Sequence, residues 1–207
     1  ALRLVGLGVD PFPPGYDLGM TPAEYLDHHA AYGEAATVTG RVAAIRDHGG
    51  VVFVDLVREG ASIQVLAERQ YVEPAQYAAW RLLDLGDLVT VHGHVGMSRT
   101  GERSLELRTW TMAAKSLRPH PPRRGRLDAQ TRTRERALAL MTDASSMRLL
   151  RQRSRAIASV RQVLAEQGFA EVETPMLQAV QGGANARPFI THLNAYSTDV
   201  FLRIAPE

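Results

Sequence analysis

The stretch TVTGRVAAIRDHGGVVFVDLVREGASIQVLA, residues 37–67, decides the fold. Apolar residues recur through it at every second position, the period of a half-buried strand, and two glycine turns, His48-Gly49-Gly50 and Glu59-Gly60, cut it into three. This predicts strands over residues 37–45, 51–57 and 62–67. Working outward, the same period returns over 88–97 and 103–112, after turn signals at Leu85-Gly86-Asp87 and Thr100-Gly101. A helical interval, 73–83, falls between the third and fourth strands. Five strands with a helix in that gap is the order of a five-stranded Greek-key β barrel.

The period also sorts side chains onto faces. On the second strand Val52, Val54 and Leu56 share one side, and Val51, Phe53 and Asp55 share the other. With the aliphatic side as barrel core, Phe53 points outward, where a phenyl ring offers a stacking platform worth ~1–3 kcal/mol per base. On the third strand Gln64 alternates with Ile63 and Val65, which puts an amide on the same outer face. Arg46, ending the first strand, and Glu102, in the last hairpin, flank it. Taken singly, Phe53 reads as a core or edge packing residue, and Gln64 and Glu102 as surface polar groups.

Composition bounds the rest. A chain of 207 residues, 45% hydrophobic, has room for one or two domains and a sizeable core. With no cysteine, disulfides and thiolate metal sites are excluded. No apolar run approaches the ~18 residues a membrane helix needs. Net charge is only +2, but residues 115–161 gather 13 of the 24 basic side chains against three acidic ones. Lys115 is the single lysine, so this segment is almost purely arginine, whose planar fork suits phosphate; a solvated linker face is the alternative reading. His28-His29 and the pair His92 and His94 have no acid or cysteine completing a shell, and no metal site is expected.

Four segments follow. Residues 1–35 are an entry segment with the breaker cluster Asp10-Pro11-Phe12-Pro13-Pro14-Gly15, then a short helix announced by Thr21, Pro22 and Glu24. Residues 36–114 are the barrel, and 115–150 a basic linker turning helical from Asp128. Residues 151–207 open with a helix over 151–167, its Ile157, Val160 and Leu164 at spacings of three and four and Gly168 at its end. A strand is expected over 169–173, ended before Pro175.

The most specific text lies here. Glu171-Val172-Glu173-Thr174-Pro175-Met176-Leu177, then Gly182-Gly183 with Ala186-Arg187-Pro188-Phe189, then Arg203-Ile204-Ala205-Pro206-Glu207 resembles a class II lysyl-tRNA synthetase entering its catalytic domain. Gly40-Arg41, Arg46, Phe53-Val54-Asp55-Leu56, Ile63-Gln64 and Gly101-Glu102 are similar to the anticodon-binding module of the same family. The resemblance implies a β barrel of the OB-fold type followed by the start of an α+β class II catalytic domain. It implies that Phe53 stacks on an anticodon base while Arg46, Gln64 and Glu102 hydrogen-bond uridine edges. A carboxylate fits there because the N3–H of uracil needs an acceptor, and leaving it unpaired costs ~1–3 kcal/mol.

For the second part, the resemblance places Pro175 at a homodimer interface and sets Gly183 and Glu207 against the amino group of bound lysine. Glycine lets a ligand approach closely, and a carboxylate suits an ammonium. The implied partners are tRNA(Lys), lysine and a second copy. The implied reaction makes lysyl-adenylate from lysine and ATP, then passes the lysyl group to the tRNA 3′ end. ATP and magnesium would serve the parent enzyme; the motifs that hold them are expected after Glu207, so these 207 residues are expected to contain no catalytic residue, to bind neither group and to be inactive alone. Three positions depart from or adjust the family pattern: Gly50 stands where many relatives carry a lysine, Asn185 replaces a small residue, and Arg187 is expected to brace the loop. Residues 132–140, Ala184-Asn185-Ala186 and Asn194-Ala195-Tyr196-Ser197 are similar to the synthetase half of the bifunctional lysylphosphatidylglycerol biosynthesis family, in which a membrane domain precedes the synthetase. That implies a cytoplasmic location, at the cytoplasmic side of the membrane in the bifunctional form, with no membrane contact by these residues. Two further classes remain: a non-catalytic single-strand-binding module, and an aspartyl- or asparaginyl-type synthetase, against which the Gly182–Phe189 text argues.

Overall fold

The period-two segments become β1 Ala35–Asp47, β2 Val51–Arg58, β3 Ala61–Glu68, β4 Leu88–Met97 and β5 Arg103–Ala114, every end within about two residues of the expectation. In the computed structural model, which describes residues 1–27, 32–98, 101–118 and 127–206, they close into a barrel in the order β1-β2-β3-β5-β4. Antiparallel β1–β4 pairing seals it, and the one parallel pairing is β3–β5. This is the OB-fold. Val38, Val52, Val54, Val65, Leu105 and Leu107 fill the interior without exposure, as alternation requires.

Before the barrel come α1 Leu2–Val5 and α2 Pro22–Asp27, and α3 Pro74–Trp80 lies between β3 and β4. The start of α2 is a capping box: Thr21 Oγ1 accepts the Glu24 N–H at 3.1 Å, and Glu24 Oε2 accepts the Thr21 N–H at 2.6 Å. It presents Tyr25, whose buried phenol donates to the Ser104 carbonyl at 3.0 Å and whose pKa burial pushes up. Glu73 caps α3 through the Gln76 N–H at 2.9 Å. The helix then packs Trp80 edge-on to Trp110, centroids 5.3 Å apart, inside the core. Where β4 and β5 shift register at Gly93, a Cβ would come 2.0 Å from the Glu106 carbonyl oxygen, so the crossing demands glycine.

Lys115 does not serve the arginine-rich segment. Its ammonium is buried and donates to Asp84 Oδ2 at 2.6 Å and to both oxygens of Asp87 at 2.8 and 2.9 Å. Asp87, fully buried, also accepts the backbone N–H groups of Asp84 and Ser116, each at 2.8 Å. The cluster ties the turn before β4 to the chain leaving β5.

Three helices follow: α4 Ala129–Arg134, capped by Asp128, α5 Arg136–Thr142 and α6 Ala144–Glu166. The last begins at Ala144 and not near residue 151 as the sequence reading has it, because Asp143 caps it. That carboxylate accepts the Ser145 N–H at 3.0 Å and the hydroxyls of Ser145 and Ser146 at 2.7 and 2.8 Å. Led by the Ser145 hydroxyl, these bonds lower its pKa to about 2. The cap is therefore complete above the ordinary carboxylate range and is lost as pH falls through about 2. Asp143→Ala is expected to lower helix content at pH 5 and to remove this acid-dependent loss, read by far-ultraviolet circular dichroism from pH 5 to 1.

The chain divides into compact units Ala1–Leu150 and Arg151–Glu207. In the second, α6 ends in a Schellman motif: Gly168, at φ 85°, and Phe169 donate to the carbonyls of Ala165 and Leu164, both at 3.0 Å. The strand expected over 169–173 does not form. Those residues are exposed and pair with no strand among the described residues, so no ladder bond offsets the entropy of holding them extended. Instead β6 Leu177–Gln178, β7 Ile190–Leu193 and β8 Thr198–Leu202 make an antiparallel sheet in the order β6-β8-β7. Arg203 ties it to the Pro175 segment: its N–H donates to the Met176 carbonyl at 2.8 Å, and its guanidinium to the carbonyl and hydroxyl of Thr174. The apolar stripe of α6 is left open, with Val160 60% exposed, as are Phe169 and Phe189.

Candidate nucleic-acid interface

On β2 Val52, Val54 and Leu56 are buried and Phe53 emerges half-buried on the outer face, as alternation predicts. Arg46 of β1 lies directly opposite it, its guanidinium carbon 5.9 Å from the ring centroid. The His48 ring meets Phe53 edge-on at 5.7 Å, 81° between planes. Arg46 also grips Asp55 in a two-pronged ion pair at 2.8 and 3.0 Å, and these hydrogen bonds raise its pKa. Asp55, which the period places on this face without a role, thus holds Arg46 beside the ring.

One step along, Gln64 sits across from Asp55 on β2 and Ser104 on β5. Its Nε2 donates to Glu102 Oε2 at 3.1 Å, and its Oε1 accepts the Ser104 hydroxyl at 3.1 Å. An ionised carboxylate only accepts, so the amide nitrogen must be the atom facing Glu102. Gln64 is on the expected face, yet only 8% exposed, because Glu102 and Ser104 close over it. Glu102 remains exposed, with its N–H held by Ser98 Oγ at 3.1 Å. The four residues singled out from sequence are therefore gathered around one patch: a ring, a cation, an amide fixed in orientation and a carboxylate with acceptor capacity to spare.

Residues 36–113 match the family described as OB-fold nucleic acid binding domain, of the tRNA anticodon type, and residues 128–207 match tRNA synthetases class II (D, K and N). The chain carries an anticodon-binding OB domain followed by the start of a class II tRNA synthetase catalytic domain. It is similar to the lysylphosphatidylglycerol biosynthesis bifunctional protein LysX of Mycobacterium marinum, 44% identical over 207 residues, which is 99% of this chain and 19% of that protein. To the protein of the same name from Mycobacterium tuberculosis it is 44% identical over 209 residues, covering 99% and 18%. For Mycobacterium avium the identity is 45% over 202 residues, covering 97% and 17%. The chain spans about a fifth of the length of these relatives.

Within the class II synthetase unit, Gly183 holds φ 82°, a conformation that suits glycine, in an exposed loop closed by the Gln181 Nε2 bond to the Ala186 carbonyl at 3.0 Å. Gln181 makes the brace expected of Arg187, which is exposed. Pro175 is exposed beside the Arg203 bonds. Glu207 lies outside the described residues, as do His28 and His29. His92 Nδ1 is bonded to Thr37 Oγ1 at 2.8 Å. Among the described residues no group of three or more histidines and acids could hold a metal, and no helix is long and apolar enough to cross a membrane.

Proposed function

We propose that the protein to which this chain belongs is a lysine–tRNA ligase, and that the outer barrel face reads uridines of the tRNA(Lys) anticodon. One observation carries this: the Gln64–Glu102 bond fixes an amide and an acceptor carboxylate beside the outward Phe53. Phe53 supplies stacking, Arg46 a cation fixed by Asp55, and Glu102, oriented by the covered Gln64 amide, the edge contact. The choice of lysine over aspartate or asparagine is supported by Gly182-Gly183 and by the lysylphosphatidylglycerol biosynthesis for which the relatives are named, and Glu207 would meet the lysine ammonium. A homodimer through the Pro175 segment is supported by the apolar surface that α6 and Phe169 leave open. ATP and magnesium would serve the parent as cofactors; among the described residues no group of three or more histidines and acids could hold a metal. By the same similarity the parent also supplies lysyl-tRNA for lysylphosphatidylglycerol synthesis, with this part in the cytoplasm.

ATP–pyrophosphate exchange by the parent protein, assayed with each amino acid in turn, tests the reading. Exchange with lysine alone is the expected result. Exchange driven by aspartate or asparagine instead overturns the substrate assignment, and no exchange with any amino acid favours a non-catalytic RNA-binding module.

A further inference from the structure

At the barrel end carrying the β1–β2 turn, a second aromatic ring stands clear of the surface. Tyr71, between β3 and α3, is 55% exposed. The Arg108 guanidinium of β5 lies over the ring, 5.0 Å from its centroid, and is steadied by Glu106 at 3.4 Å. The turn is tied down at three points. Tyr71 N–H donates to the Glu68 carbonyl and Arg69 N–H to the Gly50 carbonyl, both at 3.0 Å. The Tyr77 hydroxyl donates to the Gly49 carbonyl, also at 3.0 Å. Tyr71 is therefore anchored to the same hairpin whose His48 touches Phe53.

Register joins the two rings. Phe53 lies opposite Leu66 on β3, Leu66 opposite Glu106 on β5, and Arg108 follows two residues later on that strand. Arg69, whose backbone N–H is bonded to the Gly50 carbonyl, is exposed, and a Cβ on Gly50 would meet only open space. Surfaces that bind single strands alternate aromatic faces with arginines along the backbone path.

We propose that Tyr71, backed by Arg108, is a second stacking platform that takes a nucleotide adjoining the anticodon triplet, with Arg69 contacting the phosphate between the two bases. This rests on the anticodon reading and extends its footprint beyond three bases. The tyrosine supplies a face every base can use, so the contact adds affinity without adding sequence preference.

The test measures binding of the 207-residue chain to a fluorescent anticodon stem-loop RNA with a uridine triplet. Tyr71→Ala is expected to weaken binding about 5- to 150-fold, Tyr71→Phe to leave it unchanged, and both to melt at the wild-type temperature. Arg69→Gln lowers the slope of log K against log salt by about 0.7. An RNA lacking the base next to the triplet weakens wild-type binding and cancels the Tyr71→Ala effect. A Tyr71→Ala loss that persists in full on abasic RNAs overturns the platform. Loss in Phe53→Ala with none in Tyr71→Ala overturns the platform alone, and loss in neither overturns the anticodon reading with it.

Discussion

Lys115→Met is expected to lower the unfolding free energy by about 3–5 kcal/mol, measured by urea denaturation at pH 7. The substitution keeps most of the side chain's volume and removes only the ammonium, so Asp87, fully buried, loses its counter-ion while keeping two backbone N–H donors. The second variant isolates the cause. Adding Asp87→Asn neutralises the stranded charge but turns an amide NH2 toward one of the two backbone N–H groups, so the double variant is expected to regain part of the loss. A single-variant cost below about 1 kcal/mol would place the cluster among ordinary surface pairs. The pH dependence has a definite sign. Burial alone lowers the Lys115 pKa, but hydrogen bonds to Asp84 and Asp87 outweigh it and raise the value above 10.5. The pair's contribution is complete below that ordinary lysine value and disappears only as pH climbs through the higher folded one.

Phe53→Ala is expected to cost about 1–3 kcal/mol in binding a uridine-triplet stem-loop, and little in stability. The split follows from position: the ring lies on the outer face, while Val52 and Val54 carry the packing of β2. Phe53→Trp keeps a stacking face and is expected to retain affinity. A melting temperature that falls by more than about 8 °C with unchanged RNA affinity would make Phe53 a packing residue.

Alternation made the barrel legible because one side of each strand faces a closed core, and that constraint is written in every second residue from Thr37 to Ala67. The same logic turned Phe53 outward. It could not show that Gln64 is covered, since the covering groups, Glu102 and Ser104, arrive from the hairpin and strand that pair with β3 about forty residues later. Lys115 read as one more cation because its acids, Asp84 and Asp87, sit across a strand pair. The start of α6 was readable in Asp143-Ala144-Ser145-Ser146, a capping signal that the arginines on either side obscured. Residues 169–173 have strand composition, but pairing depends on a partner and not on composition alone. The β7–β8 hairpin turns through the left-handed Ser197 at φ 48°, a conformation that an Asn-Ala-Tyr-Ser string does not announce.

A single comparison bears most directly on anticodon selection: equilibrium binding of the chain to stem-loops in which each triplet uridine is replaced in turn by cytidine. Cytosine presents a lone pair at N3 where uracil presents N–H, so a carboxylate that accepts from uracil is repelled. At one position the exchange is expected to weaken wild-type binding about 5- to 150-fold, and Glu102→Ala to erase that preference. Equal affinity for every stem-loop, or a preference that survives in Glu102→Ala, would contradict the account.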